Sequence, residues 1–154
     1  MPTARIATIS APVSATMGSP MNRIAEGPFE VKLSPQPLHE EAVGLFGRMA
    51  IDKRFHGDLD AASRGEMLAG GTAVQGSAGY VAFEKVQGVL DGRRGSFLLL
   101  HRGVMDRGAA DLSIDVVPDS GTEELLGLSG RMSIEVREGG AHFYRFEYAL
   151  ADGA

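Results

Sequence analysis

Residues 88–108 read GVLDGRRGSFLLLHRGVMDRG, with two apolar runs joined by Asp91-Gly92. A two-residue Asp-Gly link between such runs predicts a tight hairpin, because both central residues must take positive φ and few residue pairs do so cheaply. The turn also sets the register. It pairs Leu90 with Arg93, Val86 with Phe97, Glu84 with Leu99 and Ala82 with His101.

The rest of the chain extends the strand pattern. Phe29, Val31 and Leu33 alternate with polar residues and stop at Pro35 and Pro37. Met49 to Phe55, Gly65 to Leu68, Leu112 to Val116, Met132 to Val136 and Tyr144 to Leu150 read the same way. With Tyr80 to Leu90 and Phe97 to Met105, this makes about eight strands. The 21 glycines fall at turn-like spacings between them. Many short strands with regular turn signals predict an all-β antiparallel barrel or sandwich. Helix signals are confined to Thr122-Glu123-Glu124-Leu125, with Thr122 as N-cap, and a stretch at 38–47 that Gly44 and Gly47 interrupt. At most one short helical turn is expected.

A chain of 154 residues fits one domain large enough to bury a core. Residues 1–24 are rich in Ala, Ser, Thr and Pro and lack periodicity. They are expected to be an unstructured tail, or sequence upstream of a true start at Met17 or Met21, with the domain at 25–151. Pro12, Ser14 and Thr16 interrupt the only apolar run that could serve as an export signal, so the expected location is the cytoplasm. No run approaches the ~20 apolar residues of a membrane-spanning helix. A net charge of −5 argues against nucleic acid as partner, and Arg93 and Arg94 read as a solvated turn tip. The chain has no cysteine and only four dispersed histidines, without His-x-His or His-x₃-His spacing. Neither a metal site nor a cofactor is expected. The Gly-rich segment at 69–79 lacks the Gly-Lys-Ser/Thr ending of a phosphate loop, and no G-x-S-x-G motif is present.

The hairpin register yields two apolar faces. One carries Tyr80, Ala82, Glu84, Val86, Phe97, Leu99 and His101. The other carries Val81, Phe83, Val89, Leu98, Leu100 and Val104. A barrel has one inside, so the second face needs another cover. A homo-oligomer through Phe83, Leu98 and Leu100 is one solution, and a loop or the N-terminal tail is the other. Glu84 and His101 fall on a diagonal, about 7–8 Å apart at Cα and within side-chain reach. Such a pair serves either acid–base chemistry or mutual satisfaction of two buried polar groups.

Several segments resemble an uncharacterised bacterial family, domain-of-unknown-function family 3224. They are GPFEVKLSPQP (27–37), KRFHGDL (53–59), SRGEML (63–68), the stretch 76–108 that contains the hairpin, VVPDSGTEELLGLSG (116–130) and HFYRFEYAL (142–150). Residues 121–130, GTEELLGLSG, also resemble the turn of allene oxide cyclases and dirigent proteins, with Glu123 at a position where those have glycine. The resemblance implies an eight-stranded antiparallel barrel of the allene oxide cyclase type. It carries over no catalytic residue, because the family has no established activity.

Small barrels of this kind can hold one small ligand. The expected interior lining is Phe55, Tyr80, Phe97, Leu99, Tyr144, Phe146 and Tyr148. Lys53, Glu66, Glu84, His101 and His142 are its polar candidates. The leading expectation is a protein that binds a small, mostly apolar molecule, with Lys53, Glu84 and His101 orienting a polar end. One alternative is an isomerase or cyclase acting on a labile lipid-like or polyketide-like substrate. The other is an interaction module with a filled barrel.

Overall fold

The computed structural model describes residues 22–151. Eight strands run in chain order around a closed antiparallel barrel: β1 Arg23–Gln36, β2 Gly47–Phe55, β3 Leu59–Gly71, β4 Ala78–Leu90, β5 Arg93–Asp106, β6 Ala109–Val116, β7 Ser129–Val136 and β8 His142–Ala149. Helical structure among the described residues is limited to single 3-10 turns at Glu40–Ala42, Glu123–Leu125 and Glu138–Gly140. The tail expected at 1–24 lies mainly outside the described residues, but Arg23 and Ile24 already belong to β1 and pair with β8.

The Asp91-Gly92 hairpin forms with the predicted register: Leu90 faces Arg93, Glu84 faces Leu99 and Ala82 faces His101. Asp91 and Gly92 both have positive φ, 46° and 83°, as a two-residue turn between twisted strands requires. β3 is longer than its apolar pattern suggests. Its inward side is Leu59, Ala61, Ser63, Gly65 and Met67, and these small residues hide the alternation.

The registers fix the barrel geometry. Tracing partners from Ala25 through Phe146, Met132, Ile114, His101, Ala82, Met67 and Met49 leads back to β1 at Pro35, ten residues further on. This stagger over eight strands tilts them by roughly 40° to the axis, within the usual range for an interior that side chains fill or one small ligand occupies.

The two ends of the barrel differ. One end is packed with Phe55, Phe97, Leu99, Tyr144, Phe146 and Tyr148, all buried. Phe97 stacks on Phe146 at 5.7 Å, and Phe55 meets Tyr144 edge-on at 5.4 Å. The β6–β7 loop closes this end with the buried Leu125 and Leu128. Gly121 permits the loop to fold tightly, since a Cβ there would lie 1.9 Å from the Leu125 carbonyl oxygen. Thr122 does not cap the following turn with its side chain. Its hydroxyl instead accepts the Ser96 N–H at 3.0 Å, tying the loop to β5. At the opposite end, β6, β7 and β8 are short beside β1, β3, β4 and β5, and the wall there is incomplete.

Candidate functional site

Between the packed half and the open end lies a layer of buried polar side chains. Glu84 on β4 is fully buried, and Lys53, Ser63 and His101 beside it are nearly so. The ladders explain the convergence. Ser63 pairs with Val86 and Gly65 with Glu84, Lys53 pairs with Ser63, and His101 lies diagonally from Glu84 on β5. All four therefore point inward at one height.

The Ser63 hydroxyl donates to Glu84 Oε1 at 2.6 Å, and Lys53 Nζ donates to Oε2 at 3.0 Å. His101 Nε2 sits against the same Oε2, close enough to pair electrostatically although it is not aligned for a straight hydrogen bond. Burial alone would raise the Glu84 pKa. The contacts with His101, Lys53 and Ser63 outweigh it and hold the carboxyl down at about 2. Lys53 also lies 5.4 Å from the Phe29 ring centroid and 5.9 Å from that of Phe55, an arrangement that favours a cation. Glu84 is therefore a fixed carboxylate near neutral pH and a poor general base.

Above this layer the inward wall thins to Gly65, Ala82 and Gly103. The Tyr80 ring lies against Gly103, where a Cβ would come within 2.1 Å of it. Higher still, side chains that strand alternation turns inward remain open to solvent: Leu33 is 47% exposed, Met105 and Leu112 are each 43% and Val136 is 62%. They form an apolar bowl. On its β3–β6 side Tyr80, Gly103, Met105 and Leu112 help line a pocket of about 300 Å³.

The residues expected to line one site thus fall into four places, three inside the barrel and one outside it. Lys53, Glu84 and His101 come together in the polar layer, and Tyr80 stands in the bowl above them. Phe55, Phe97, Leu99 and Tyr144 belong to the packed half. The Tyr144 hydroxyl is used structurally: it donates to His56 O at 2.6 Å and accepts Leu59 N–H at 2.8 Å. Glu66 does not belong to the interior. It pairs across the ladders with Ala50 and Phe83 on the outer face and forms an ion pair with Arg48. It was expected among the polar residues of the interior, but the strand register puts it outside. Ser63 was missed because a serine flanked by Ala62 and Arg64, with Ala61 and Gly65 as its neighbours on the same face, carries no apolar signal. The bowl residues were missed because their exposure depends on the lengths of β6–β8.

Outside the barrel, Phe83 and Leu100 are each 48% exposed and Val81 is 51% exposed. They line a groove of about 560 Å³, with Leu38, Phe46 and Leu68 on its other side. The β1–β2 loop walls this groove without filling it.

No described helix is long and apolar enough to cross a membrane, and no group of three or more His, Cys, Asp or Glu suited to a metal occurs among the described residues. No curated protein matches the chain. A crystal structure of a protein with unknown function from the DUF3224 family of Shewanella oneidensis MR-1 is 49% identical, covers 86% of this chain and all of that chain, and superposes with a TM-score of 0.80. The family model for proteins of unknown function (DUF3224) spans residues 25–148, nearly the whole barrel, and the chain belongs to that family.

Proposed function

We propose that the open end of the barrel binds a small, mostly apolar molecule whose polar end faces the Lys53–Glu84–His101 layer. The observation that carries this reading is the bowl itself. Leu33, Met105, Leu112 and Val136 point inward yet stay 43–62% exposed. Apolar side chains left exposed on the inner face of a barrel mouth are available to an apolar ligand. An apolar wall above a few placed polar groups is the usual form of a small-molecule site. The isomerase alternative gives the proton exchange to Glu84 or His101, and the held-down Glu84 carboxyl weighs against Glu84 in that role.

Fluorescence titration with anilinonaphthalene sulfonate tests the site. Leu112→Arg, which puts a charge in the bowl wall, is expected to weaken dye binding at least tenfold. Phe83→Glu, on the outer groove, should leave the affinity within twofold. The reverse pattern would place the dye on the outer face and overturn the reading. Native mass spectrometry of protein from its own host would identify the class of any molecule that co-purifies.

A second reading concerns the outer face. The exposed cluster of Val81, Phe83 and Leu100 favours self-association through β4 and β5, since soluble monomers seldom leave such a patch bare.

A further inference from the structure

The chain has three tyrosines, Tyr80, Tyr144 and Tyr148, and strand alternation turns all of them into the barrel. Two spend their hydroxyls on the fold. Tyr144 bonds the backbone of His56 and Leu59, and Tyr148 donates to Asp91. No group among the described residues bonds the Tyr80 hydroxyl, yet the hydroxyl is not buried: it opens on the bowl. Its position follows from its neighbours. Tyr80 pairs with Gly103 on β5, and Gly103 pairs with Leu112 on β6. A Cβ at Gly103 would meet the ring at Cε1 and, 2.8 Å away, at Cζ. The ring therefore crosses β5 toward β6, in the space a side chain at 103 would take. It forms one wall of the 300 Å³ pocket, with Ala69, Met105, Ala110 and Leu112 among the others.

The electrostatics of this pocket disfavour an anion. Besides Tyr80 its one ionisable lining residue is Asp111, an acid, and none is Lys, Arg or His. Below it, the Lys53 ammonium is already spent on Glu84 and on the Phe29 and Phe55 rings. Burial and the nearby Glu84 carboxylate raise the Tyr80 phenol above its ordinary value. The hydroxyl thus stays protonated and free to donate. The field that disfavours a negative charge on the Tyr80 oxygen also disfavours one on a ligand beside it. The acceptors that suit the hydroxyl are uncharged oxygens.

We propose that Tyr80 selects the ligand: its hydroxyl donates to an uncharged oxygen, of a ketone, aldehyde, ester or ether, on an apolar molecule held against Met105 and Leu112. The proposal rests on the reading that the bowl binds an apolar molecule, and it adds the class of that molecule's polar end. A sulfonate dye still binds through its rings, with the charged group left in the open mouth.

The test uses the full chain in a Phe83→Glu background, which removes the outer groove as a dye site. The probe is prodan, an uncharged naphthyl ketone whose emission moves to the red when its carbonyl accepts a hydrogen bond. Its parent, dimethylaminonaphthalene, lacks the ketone. Tyr80→Phe keeps the ring and removes only a hydroxyl that bonds nothing in the fold. It is expected to weaken prodan binding about fivefold, the worth of one neutral hydrogen bond, and to move the bound dye's emission to the blue. The parent dye should bind both proteins within about twofold. With Tyr80 in place, acetylnaphthalene should displace prodan at concentrations about tenfold lower than naphthoate does. Unchanged prodan affinity and emission in Tyr80→Phe, or an equal loss for both dyes, would make Tyr80 a wall only and overturn the proposal. So would naphthoate that competes as well as the ketone. In each of these cases, binding that Leu112→Arg abolishes would leave the bowl reading standing. If Leu112→Arg changes the binding of neither dye, the bowl reading falls and the proposal with it.

Discussion

Glu84 is the residue on which the interior chemistry turns, because a buried carboxylate is tolerated only with partners. Its partners come from three other strands, so the network also links those strands across the barrel. The direction of its titration follows from this. The folded-state pKa, about 2, lies below the ordinary value of 4.5. Its contribution to stability is therefore present above pH 4.5 and lost as pH falls toward 2. By linkage this is on the order of 3 kcal/mol. Chemical denaturation from pH 6 to pH 2.5 should show that loss in the wild type. Glu84→Gln should be less stable at pH 6 by about 3–5 kcal/mol, because Lys53 is left buried without its counter-charge. It should also lose most of the acid slope. An unchanged slope would assign the acid sensitivity to other carboxylates. Tyr148 shows the opposite displacement at the packed end. Burial and its hydrogen bond to Asp91 raise the phenol to about 12, so it stays neutral and donates.

At the scale of strands and turns, two glycines illustrate different constraints. Gly92 has φ +83° with nothing within 4 Å of where a Cβ would stand, so Gly92→Ala tests backbone conformation alone. It is expected to cost about 1 kcal/mol by equilibrium unfolding. Gly65 has ordinary backbone, but a Cβ there would lie 2.0 Å from the Phe83 carbonyl oxygen. Gly65→Ala must push β3 from β4 and should cost more, about 1–3 kcal/mol or above. If Gly92→Ala proved the more damaging, the close approach of β3 to β4 would be wrong.

The Asp91-Gly92 turn was legible in the sequence, and through it the Glu84–His101 diagonal, because a two-residue turn leaves one register. Period two separated the two faces of β4 and β5, and the structure shows which of them points inward. Ser63 and the full length of β3 were not legible, since Ala61, Ser63 and Gly65 are small and give no contrast. Glu66 was assigned to the interior and lies outside, because no turn in the sequence fixed the register of β3, and the ladders set Glu66 opposite Ala50 and Phe83 on the outer face.

Taken whole, the molecule is asymmetric along its axis and around it. Aromatic packing and the Leu125–Leu128 plug close one end, while short strands leave the other open on the side of β6–β8. The far side, β3–β5, has the longest ladders and the bare apolar face. The longest ladders and the exposed apolar surface thus coincide, which suits a subunit contact that leaves the open end free. Such a dimer would couple assembly to stability by mass action: the melting temperature of the wild type should rise with protein concentration. Phe83→Glu should run as a monomer in sedimentation velocity and melt at a temperature independent of concentration. Because Phe83 is half exposed in the isolated barrel, the substitution costs the monomer little, and its far-ultraviolet spectrum should match the wild type. A wild-type chain that sediments as a monomer at several hundred micromolar, with a melting temperature independent of concentration, would show that the groove beside Phe46 is open in solution and that this face serves something other than a second copy.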